Sequence, residues 1–298
     1  MTTEETYAEN RGRLFAIAYR MLGSAAEAED VVQEAFVRWS TAIAEGTEVR
    51  EPRAWLTTVT TRLAIDVLRD ARVRRETYVG PWLPEPVATD GEAALDPGES
   101  VALAESLSVA FLVLLETLTP TERAAFLLHD VFAYPYAEVA DVVGMPESTC
   151  RQLARRARAR IAERRPRFAP PPAAAERLTA SFIRACTSGD LDALRTLLAD
   201  DVTFWSDGGG RAPAPRRPIT GADRVARALV GLASSAKVPI SSLPTRLNGQ
   251  AGFVSVVEGM PFGAVTLDFA GERIVGIRLV VNPDKLGAVS GDVPEDVG

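Results

Sequence analysis

The chain of 298 residues has little of the chemistry on which metal centres and many active sites depend, with two cysteines and one histidine. Cys150 and Cys186 match no metal-ligand spacing, so we expect free thiols. His129 lies beside Leu128 and Val131 in the sequence and is expected to be a structural residue. A zinc site and a histidine-based triad are therefore disfavoured, and neither a metal nor a cofactor is expected.

Long apolar runs are also missing. No stretch approaches the length that spans a bilayer, and the first residues, MTTEETYAEN, are acidic and polar rather than an apolar signal core. We therefore expect a cytoplasmic protein. With 47% hydrophobic residues the chain can build real cores, and its length corresponds to two or three domains.

The net charge of −7 hides an uneven distribution. Residues 50–75 hold seven arginines against three acids, and residues 151–167 hold eight arginines against one acid. Between them, residues 76–122 hold nine acids and neither lysine nor arginine. Two basic blocks of this kind are suited to phosphate backbones, and the acidic stretch separates them.

The second basic block follows the pattern of a helix-turn-helix. Thr119, with Pro120 and Glu122 after it, predicts a capped helix, and a second short helix is predicted over Tyr136–Val143. Gly144 supplies the positive φ for a sharp turn before the arginine-rich helix. We predict that this helix reads DNA, the alternative being a solvated basic helix. The residues selected for this role are Ser148, Thr149, Arg151, Gln152, Arg155 and Arg156.

Residues 6–75 show helical periodicity and predict a bundle of three helices. Ser24 is expected to cap the second helix, with Glu27 three residues later. Pro52 is expected to open the third helix, on which Trp55, Leu56, Val59, Leu63 and Val67 form the predicted inward stripe. The other face carries a row of arginines.

The stretch from Ala28 to Phe36 resembles the core-binding helix of region 2 of bacterial sigma factors. Pro52 to Arg75 resembles the adjoining segment that meets the −10 promoter element, and the helix-turn-helix resembles region 4, which reads the −35 element. The pair is similar to the extracytoplasmic-function (ECF) sigma factors, which keep only these two regions. The resemblance implies core RNA polymerase, through the clamp coiled coil of its largest subunit and its flap, and promoter DNA as partners.

The resemblance also assigns residues to these contacts. Asp30, Gln33 and Glu34 recur at helical spacing as a polar ridge, for which a solvated face is the alternative. With Phe36 they are the expected polymerase contact. The expected −10 contacts are Arg53, Trp55, Arg62, Arg69, Arg72, Arg74 and Arg75. The loop Ala44–Glu51 is the expected base-capture loop, although it has no aromatic platform.

Residues 77–106 are rich in proline, glycine, alanine and acids and predict an extended tether. Within it, Tyr78–Pro86 combines a tryptophan with several prolines, which favours docking to another surface over a chance aromatic. The resulting domain boundaries are 1–76 for region 2, 77–106 for the linker and 107–168 for region 4, followed by a C-terminal domain over 174–288.

The C-terminal domain is predicted as α+β, with helices first and a four-stranded meander last. This order is similar to the SnoaL-like (nuclear transport factor 2-like, cystatin-like) curved-sheet fold, whose members form an apolar pocket that would suit a small apolar ligand. The domain contains neither tyrosine nor histidine. Asp207, Glu258 and Asp268 are the remaining candidate bases, and we expect a domain without enzymatic activity.

Three separated motifs resemble the SigJ-type subgroup of ECF sigma factors. They are Trp82–Pro86 in the linker, Asp207–Arg211, and Asn282–Leu286. The resemblance implies regulation in cis and no separate anti-sigma factor. Removal of residues after Leu286 is expected to change little. The residues expected to make regulatory contacts are Trp82, Pro84, Asp207, Gly208, Gly209, Gly210, Arg211, Asn282, Pro283, Asp284, Lys285 and Leu286.

The function implied is promoter-specific transcription initiation. A one-component helix-turn-helix regulator with a ligand-sensing C-terminal pocket is the alternative. An isomerase or cyclase with an attached binding module is a third, weaker one.

Overall fold

A computed structural model of the chain describes residues 3–89, 103, 105–162, 170–235 and 238–292, with backbone alone at residues 3, 72–76 and 290–292. The chain divides into two compact units. The first groups Met1–Thr77, Ser100–Leu107 and Phe111–Arg165, and the second groups Tyr78–Glu99, Ser108–Ala110 and Pro166–Gly298. In the part of the chain that is described, no helix has the length and apolarity needed to cross a membrane.

The first unit contains a helical bundle and the predicted helix-turn-helix. The bundle consists of α1 (Thr3–Leu22), α2 (Ala25–Ala44) and α3 (Pro52–Glu76). Then follow α4 (Val109–Leu115), which belongs to this unit from Phe111 on, α5 (Pro120–Phe126), a π-helical turn (Leu127–Val131), α6 (Tyr136–Val143) and α7 (Glu147–Ala162).

Local capping explains where these helices begin and end. The Ser24 hydroxyl accepts from the Glu27 N–H at 3.2 Å, and Thr119 and Glu122 form a capping box at α5. Gly144 ends α6 with φ +73°, which a side chain would disfavour. His129 stacks on Tyr136 with ring centroids 3.7 Å apart, so it contributes packing inside this unit.

The inward face of α3 differs from the predicted stripe. Leu56 is buried as expected, but Trp55, Val59, Leu63 and Val67 are only half-buried. The helix is rotated so that a row with small and hydroxylated side chains faces inward. Besides Leu56, the buried residues of α3, as far as its side chains are described, are Thr57, Thr60, Thr61, Ala64, Ile65, Leu68 and Ala71. The prediction followed the largest apolar residues, whereas close helix packing accommodates small ones.

The second unit is a curved mixed sheet with three helices. The helices are α8 (Pro172–Ser188), α9 (Leu191–Leu197) and α10 (Ala222–Ser235). The strands are β1 (Leu198–Asp207), β2 (Ile219–Thr220), β3 (Ser241–Leu247), β4 (Gln250–Val257), β5 (Met260–Ala270) and β6 (Arg273–Val280). Their order in the sheet is β2-β1-β6-β5-β4-β3, with β1 parallel to β6 and all other neighbours antiparallel.

Buried aromatic and aliphatic side chains fill the space between the helices and the sheet. Phe182 of α8 and Val225 of α10 belong to one cluster with Phe204, Phe253 and Leu267 of the strands. This cluster is the core of the unit. A small apolar ligand in this domain stays a prediction.

The linker is only partly a free tether. Residues 78–89, the linker segment from here on, belong to the second unit and pack on it, with Leu83 only 2% exposed and Ala88 bridged to Leu247. The predicted docking of Tyr78–Pro86 on another surface agrees with this packing, whereas an unattached tether does not describe residues 78–89. Composition alone does not indicate which surface the segment docks on. Residues 90–102, which are also predicted to belong to the linker, lie outside the described part.

Candidate functional site

The predicted polymerase-binding ridge lies on the exposed face of α2. Asp30, Gln33 and Glu34 are all exposed. Val37 lies on the same face, one turn after Gln33 and Glu34, and is 59% exposed. Sequence reasoning passed over Val37, although an apolar residue at i+7 from Asp30 could have indicated it. The ridge therefore combines acidic, amide and apolar groups.

Phe36 does not belong to this surface. It is 7% exposed and contacts the Tyr7 ring edge-on, with centroids 4.6 Å apart. The residue packs α2 against α1, and we remove it from the expected polymerase contacts because its side chain faces the core.

The arginines of α3 are placed unequally. Arg53 is exposed, and Arg69 is exposed and paired with Asp66 at 2.9 Å. Trp55 is half-buried and contacts the Trp39 ring edge-on at 5.6 Å between centroids. Arg72, Arg74 and Arg75 lie where only the helix backbone is described, so their side chains lie outside the described part.

Arg62 joins the bundle to the helix-turn-helix inside the first unit. Its guanidinium donates to the carbonyl oxygens of Asp141 at 2.8 Å and Val142 at 2.9 Å, where α6 ends. Carbonyls at a helix C-terminus have no partners in the helix, so a cation there is favourable. A second junction forms where Arg13 donates to the Tyr134 hydroxyl at 3.2 Å. The two predicted DNA-binding parts are therefore packed together.

The recognition helix α7 presents its predicted DNA-reading residues outward. Ser148, Arg151, Gln152, Arg155 and Arg156 are exposed, and Thr149 is half-buried. Arg151 pairs with Glu147 and stacks over the Tyr136 ring at 4.7 Å. The exposed polar face follows the turn at Gly144, as a helix entering a groove requires.

Glu122, in the first turn of α5, ties this helix to α7. It accepts from the Thr119 N–H at 3.1 Å and from Arg160 at 2.9 Å, and Arg156 lies at 3.7 Å. Burial alone would raise the pKa of Glu122, but the Thr119 hydrogen bonds and the two arginines outweigh it and lower the pKa. Charge on this carboxylate therefore stabilises the helix-turn-helix.

The Glu122→Gln variant should be less stable than the wild type by about 2 kcal/mol at neutral pH, because charge-assisted hydrogen bonds are lost. Since the folded-state pKa is lowered, the contribution is complete above the ordinary value of 4.5 and is lost as the pH falls through the folded-state value. Thermal unfolding of both proteins between pH 7 and pH 3 measures this. A difference that stays constant with pH would contradict the assignment.

In the second unit, the three predicted motifs meet around the carboxylate of Asp207, at the end of β1. Its Oδ1 accepts from the Tyr78 hydroxyl at 2.6 Å. Its Oδ2 accepts from the Leu83 N–H and from the Lys285 ammonium, each at 2.8 Å. The residue is 0% exposed. We call Asp207, Asn282 and Lys285 the linker-binding site.

Lys285 is one of two lysines in the chain and contacts both Asp207 and the linker segment. Its ammonium also donates to the Leu83 carbonyl at 2.6 Å. It lies 4.3 Å from the centroid of the Trp82 ring and 5.0 Å from that of Tyr78. Cation–π contacts of this kind strengthen where water is displaced.

Tyr78 completes the site, and it was missed as a site residue although it begins the unusual aromatic and proline stretch. It accepts from the Asn282 side-chain amide at 3.1 Å while donating to Asp207. Burial, and after it the hydrogen bond to Asp207, raises the pKa of Tyr78 well above its ordinary value. The phenol is therefore a stable hydrogen-bond donor at neutral pH.

The glycines after Asp207 allow the linker segment to approach. A Cβ at Gly209, which has φ +56°, would lie 2.8 Å from the Tyr78 hydroxyl and would overlap the Asn282 amide. A Cβ at Gly208 would overlap the carbonyl oxygen of Ala212, and one at Gly210 would press on Val79. The loop thus permits close backbone contact.

The remaining predicted residues surround this site. Pro84 is buried, and Arg211 forms an exposed pair with Asp284 at 3.4 Å. Pro283 begins a short 3-10 turn that ends before Leu286, which is buried. After Leu286 the chain still packs on the domain, since Val289 is 1% exposed and its N–H donates to the Leu286 carbonyl at 3.2 Å. The effect of removing these residues stays a prediction.

The other two candidate bases lie elsewhere. Asp268 is buried in an ion pair with Arg278, whose guanidinium lies 4.8 Å from the centroid of the Trp205 ring. Glu258 is exposed in the β4–β5 turn with φ +51°. The three carboxylates therefore do not converge on one site.

A bundle with an exposed polar ridge, joined to a helix-turn-helix with an arginine-rich recognition helix, defines the class of RNA polymerase sigma factors. The family model for Sigma-70 region 2 matches residues 6–74, and the model for Sigma-70, region 4 matches residues 108–161.

More specifically, the chain belongs to the ECF RNA polymerase sigma factors. It is 47% identical over 224 residues to the ECF RNA polymerase sigma factor SigJ of Mycobacterium tuberculosis, covering 74% of this chain and 70% of that protein. It is 35% identical over 283 residues to the probable ECF RNA polymerase sigma factor SigI of the same species, covering 93% and 92%.

The crystal structure of M. tuberculosis SigJ superposes with a TM-score of 0.74 at 36% identity, covering 98% of this chain and all of that one. This likeness extends to the C-terminal domain and confirms the predicted fold class. Core RNA polymerase and promoter DNA are the partners that this family implies.

Proposed function

We propose that the C-terminal domain regulates this sigma factor in cis by holding the linker between regions 2 and 4. The observation that carries the proposal is the buried contact of Asp207 and Lys285 with Tyr78 and Leu83. These are specific polar contacts to a connecting segment. A domain that merely followed the sigma regions in the chain would not need them.

The ridge of Asp30, Gln33, Glu34 and Val37 lies in the first unit. Its proposed partner is the clamp coiled coil of the polymerase. The polymerase flap is the proposed partner of region 4. Acidic groups around an exposed apolar side chain suit a basic partner helix. The exposed arginines of α3 are proposed to meet the −10 element, and the outward face of α7 the −35 element.

The packing of the two regions conflicts with simultaneous promoter contact. The two elements are separated by about 25 base pairs, or roughly 85 Å along B-DNA at about 3.4 Å per pair. A compact unit of this size is only about 40 Å across. The Arg62 contacts with Asp141 and Val142 must therefore open when both elements are bound.

Docking of the linker segment limits how far the regions can separate. Residues 77–107 could span about 100 Å if fully extended, whereas residues 90–107 alone could span about 60 Å. Holding residues 78–89 thus removes a large part of the available reach. Release of the linker segment is the proposed activating step.

We propose that the C-terminal domain acts as a binding module rather than as an enzyme. Asp207, the most buried of the candidate bases, is fully engaged by Tyr78, Leu83 and Lys285. A general base needs a lone pair directed at substrate, and this carboxylate uses both of its oxygens to hold the linker.

Run-off transcription with core polymerase, comparing the full chain with residues 1–168, tests the regulation. We expect the shorter protein to give at least about fivefold more transcript from the same promoter, because nothing holds the linker segment. A second truncation that removes only residues after Asp292 should behave as the full chain. Equal transcript from all three proteins would refute regulation by the C-terminal domain.

A further inference from the structure

The β3–β4 hairpin turn is buried, which is unusual for a hairpin tip. Asn248 and Gly249 have φ +54° and +72° between the paired residues Leu247 and Gln250, which is the geometry of a two-residue type I′ turn. Asn248 is nevertheless 0% exposed. The structure that lies against this turn is the end of the linker segment.

Five hydrogen bonds join the turn to residues Val87 and Thr89. The Val87 N–H donates to the Asn248 side-chain oxygen at 3.1 Å, and the Asn248 N–H donates to the Val87 carbonyl at 2.8 Å. The Thr89 N–H and hydroxyl both donate to the Arg246 carbonyl, at 2.8 and 3.1 Å. The Gly249 N–H donates to the Thr89 hydroxyl at 3.0 Å.

This arrangement recognises an extended peptide. Backbone N–H groups supply four of the five donors and backbone carbonyls three of the five acceptors, as in strand addition to a sheet, while the Asn248 amide and the Thr89 hydroxyl fix the register. None of these residues belongs to the three motifs around Asp207. The five hydrogen bonds at the turn and the hydrogen bonds described at Asp207 and Lys285 have no atom in common.

We propose that the turn Arg246–Gly249 is a second binding site for the linker, which holds Val87–Thr89 independently of the site at Asp207. It fixes the point at which the chain leaves the C-terminal domain towards region 4. The inference deepens the proposed function and rests on it for its regulatory meaning. When the contacts at Asp207 open, Val87–Thr89 therefore stay bound to the turn Arg246–Gly249.

Amide hydrogen exchange on the full chain tests the proposal, because the two sites have separate reporters. The Leu83 N–H reports on Asp207, and the Val87 and Thr89 N–H groups report on the hairpin turn. Pro84 and Pro86 have no amide proton, which simplifies assignment. The variant is Thr89→Val, which keeps the shape and removes the hydroxyl, and its matched control is Thr89→Ser, which retains the hydroxyl.

We expect Thr89→Val to raise exchange at Val87, Thr89 and Gly249 about tenfold, with Leu83 within twofold of the wild type. Thr89→Ser should stay within about threefold at all of these positions. Asn248→Gly, which preserves the positive φ but removes the side-chain acceptor, should reproduce the Thr89→Val pattern at Val87. Equal melting temperatures would show that the domain remains folded.

Two results would overturn the second site. One is unchanged exchange at Val87 in both Thr89→Val and Asn248→Gly. The other is a rise at Leu83 equal to that at Val87, which would mean that the segment binds as a single unit. If exchange separates as expected while run-off transcription is the same for Thr89→Val and the wild type, the second site stands and only its regulatory meaning fails. The proposed function is tested separately, by the truncation to residues 1–168.

Discussion

Replacing Asp207 with asparagine should release residues 78–83 from the C-terminal domain and destabilise this domain by roughly 3 kcal/mol. The Lys285 side chain is 12% exposed and would lose its 2.8 Å ion pair with the Asp207 carboxylate. Removing one member of a buried ion pair leaves the other charge buried and uncompensated, which costs about 3–5 kcal/mol. The cation–π contacts of Lys285 place the expected value at the lower end.

Urea unfolding and the exchange rate of the Leu83 amide measure this effect, and run-off transcription measures its consequence. We expect faster Leu83 exchange and increased transcript. Asp284→Asn is the matched control, since it makes the same chemical change in the same motif. Asp284 and Arg211 are 57% and 63% exposed, and such pairs contribute at most about 1 kcal/mol. Equal losses from both variants would show that burial of the pair at Asp207 has no energetic role.

The Gly209→Ala variant should destabilise the second unit by a similar amount, for a steric reason. A residue with a side chain is strained by about 1–2 kcal/mol at positive φ, and the new methyl group would also overlap Asn282 and press on the Tyr78 hydroxyl. Overpacking typically adds about 1–3 kcal/mol. We therefore expect a total loss of about 3 kcal/mol and detachment of Tyr78.

Gly271→Ala separates the two contributions. Gly271 has nearly the same conformation, with φ +60°, and a Cβ there meets nothing within 4 Å. It lies in the same unit, so both variants can be compared by the same unfolding transition. The difference between them measures the close approach of the linker segment. If Gly271→Ala cost as much as Gly209→Ala, backbone strain alone would account for the loss.

Local signals in the sequence were sufficient for most of the first unit. The capping box at Thr119, the cap at Ser24 and the turn at Gly144 are short-range features whose physical cause lies within a few residues. The rotation of α3 was not predictable in this way. Which side of a helix turns inward depends on the shape of its neighbours, and Thr57 and Thr60 carry no hydrophobic signal.

The second unit shows the same limit at longer range. Alternation predicted the four strands of the meander, but β2 was missed because two residues are too few for a periodicity. The motifs at Asp207 and Asn282 could be selected from the sequence, yet their partner Tyr78 lies 129 residues from Asp207. The pair Asn248-Gly249 is a strong hairpin signal, but nothing local indicates that the linker covers it.

The ion pairs of α7 affect how region 4 responds to salt. Among the described residues, four of the five arginines between Glu147 and Ala162 are already paired with an acid of the same unit, the exception being Arg155. When such an arginine moves to a DNA phosphate, it exchanges a carboxylate for the phosphate. The cations displaced from the DNA are then partly taken up by the vacated acids. The net release of counterions, and with it the salt sensitivity of promoter binding, is smaller than the number of arginines alone would give.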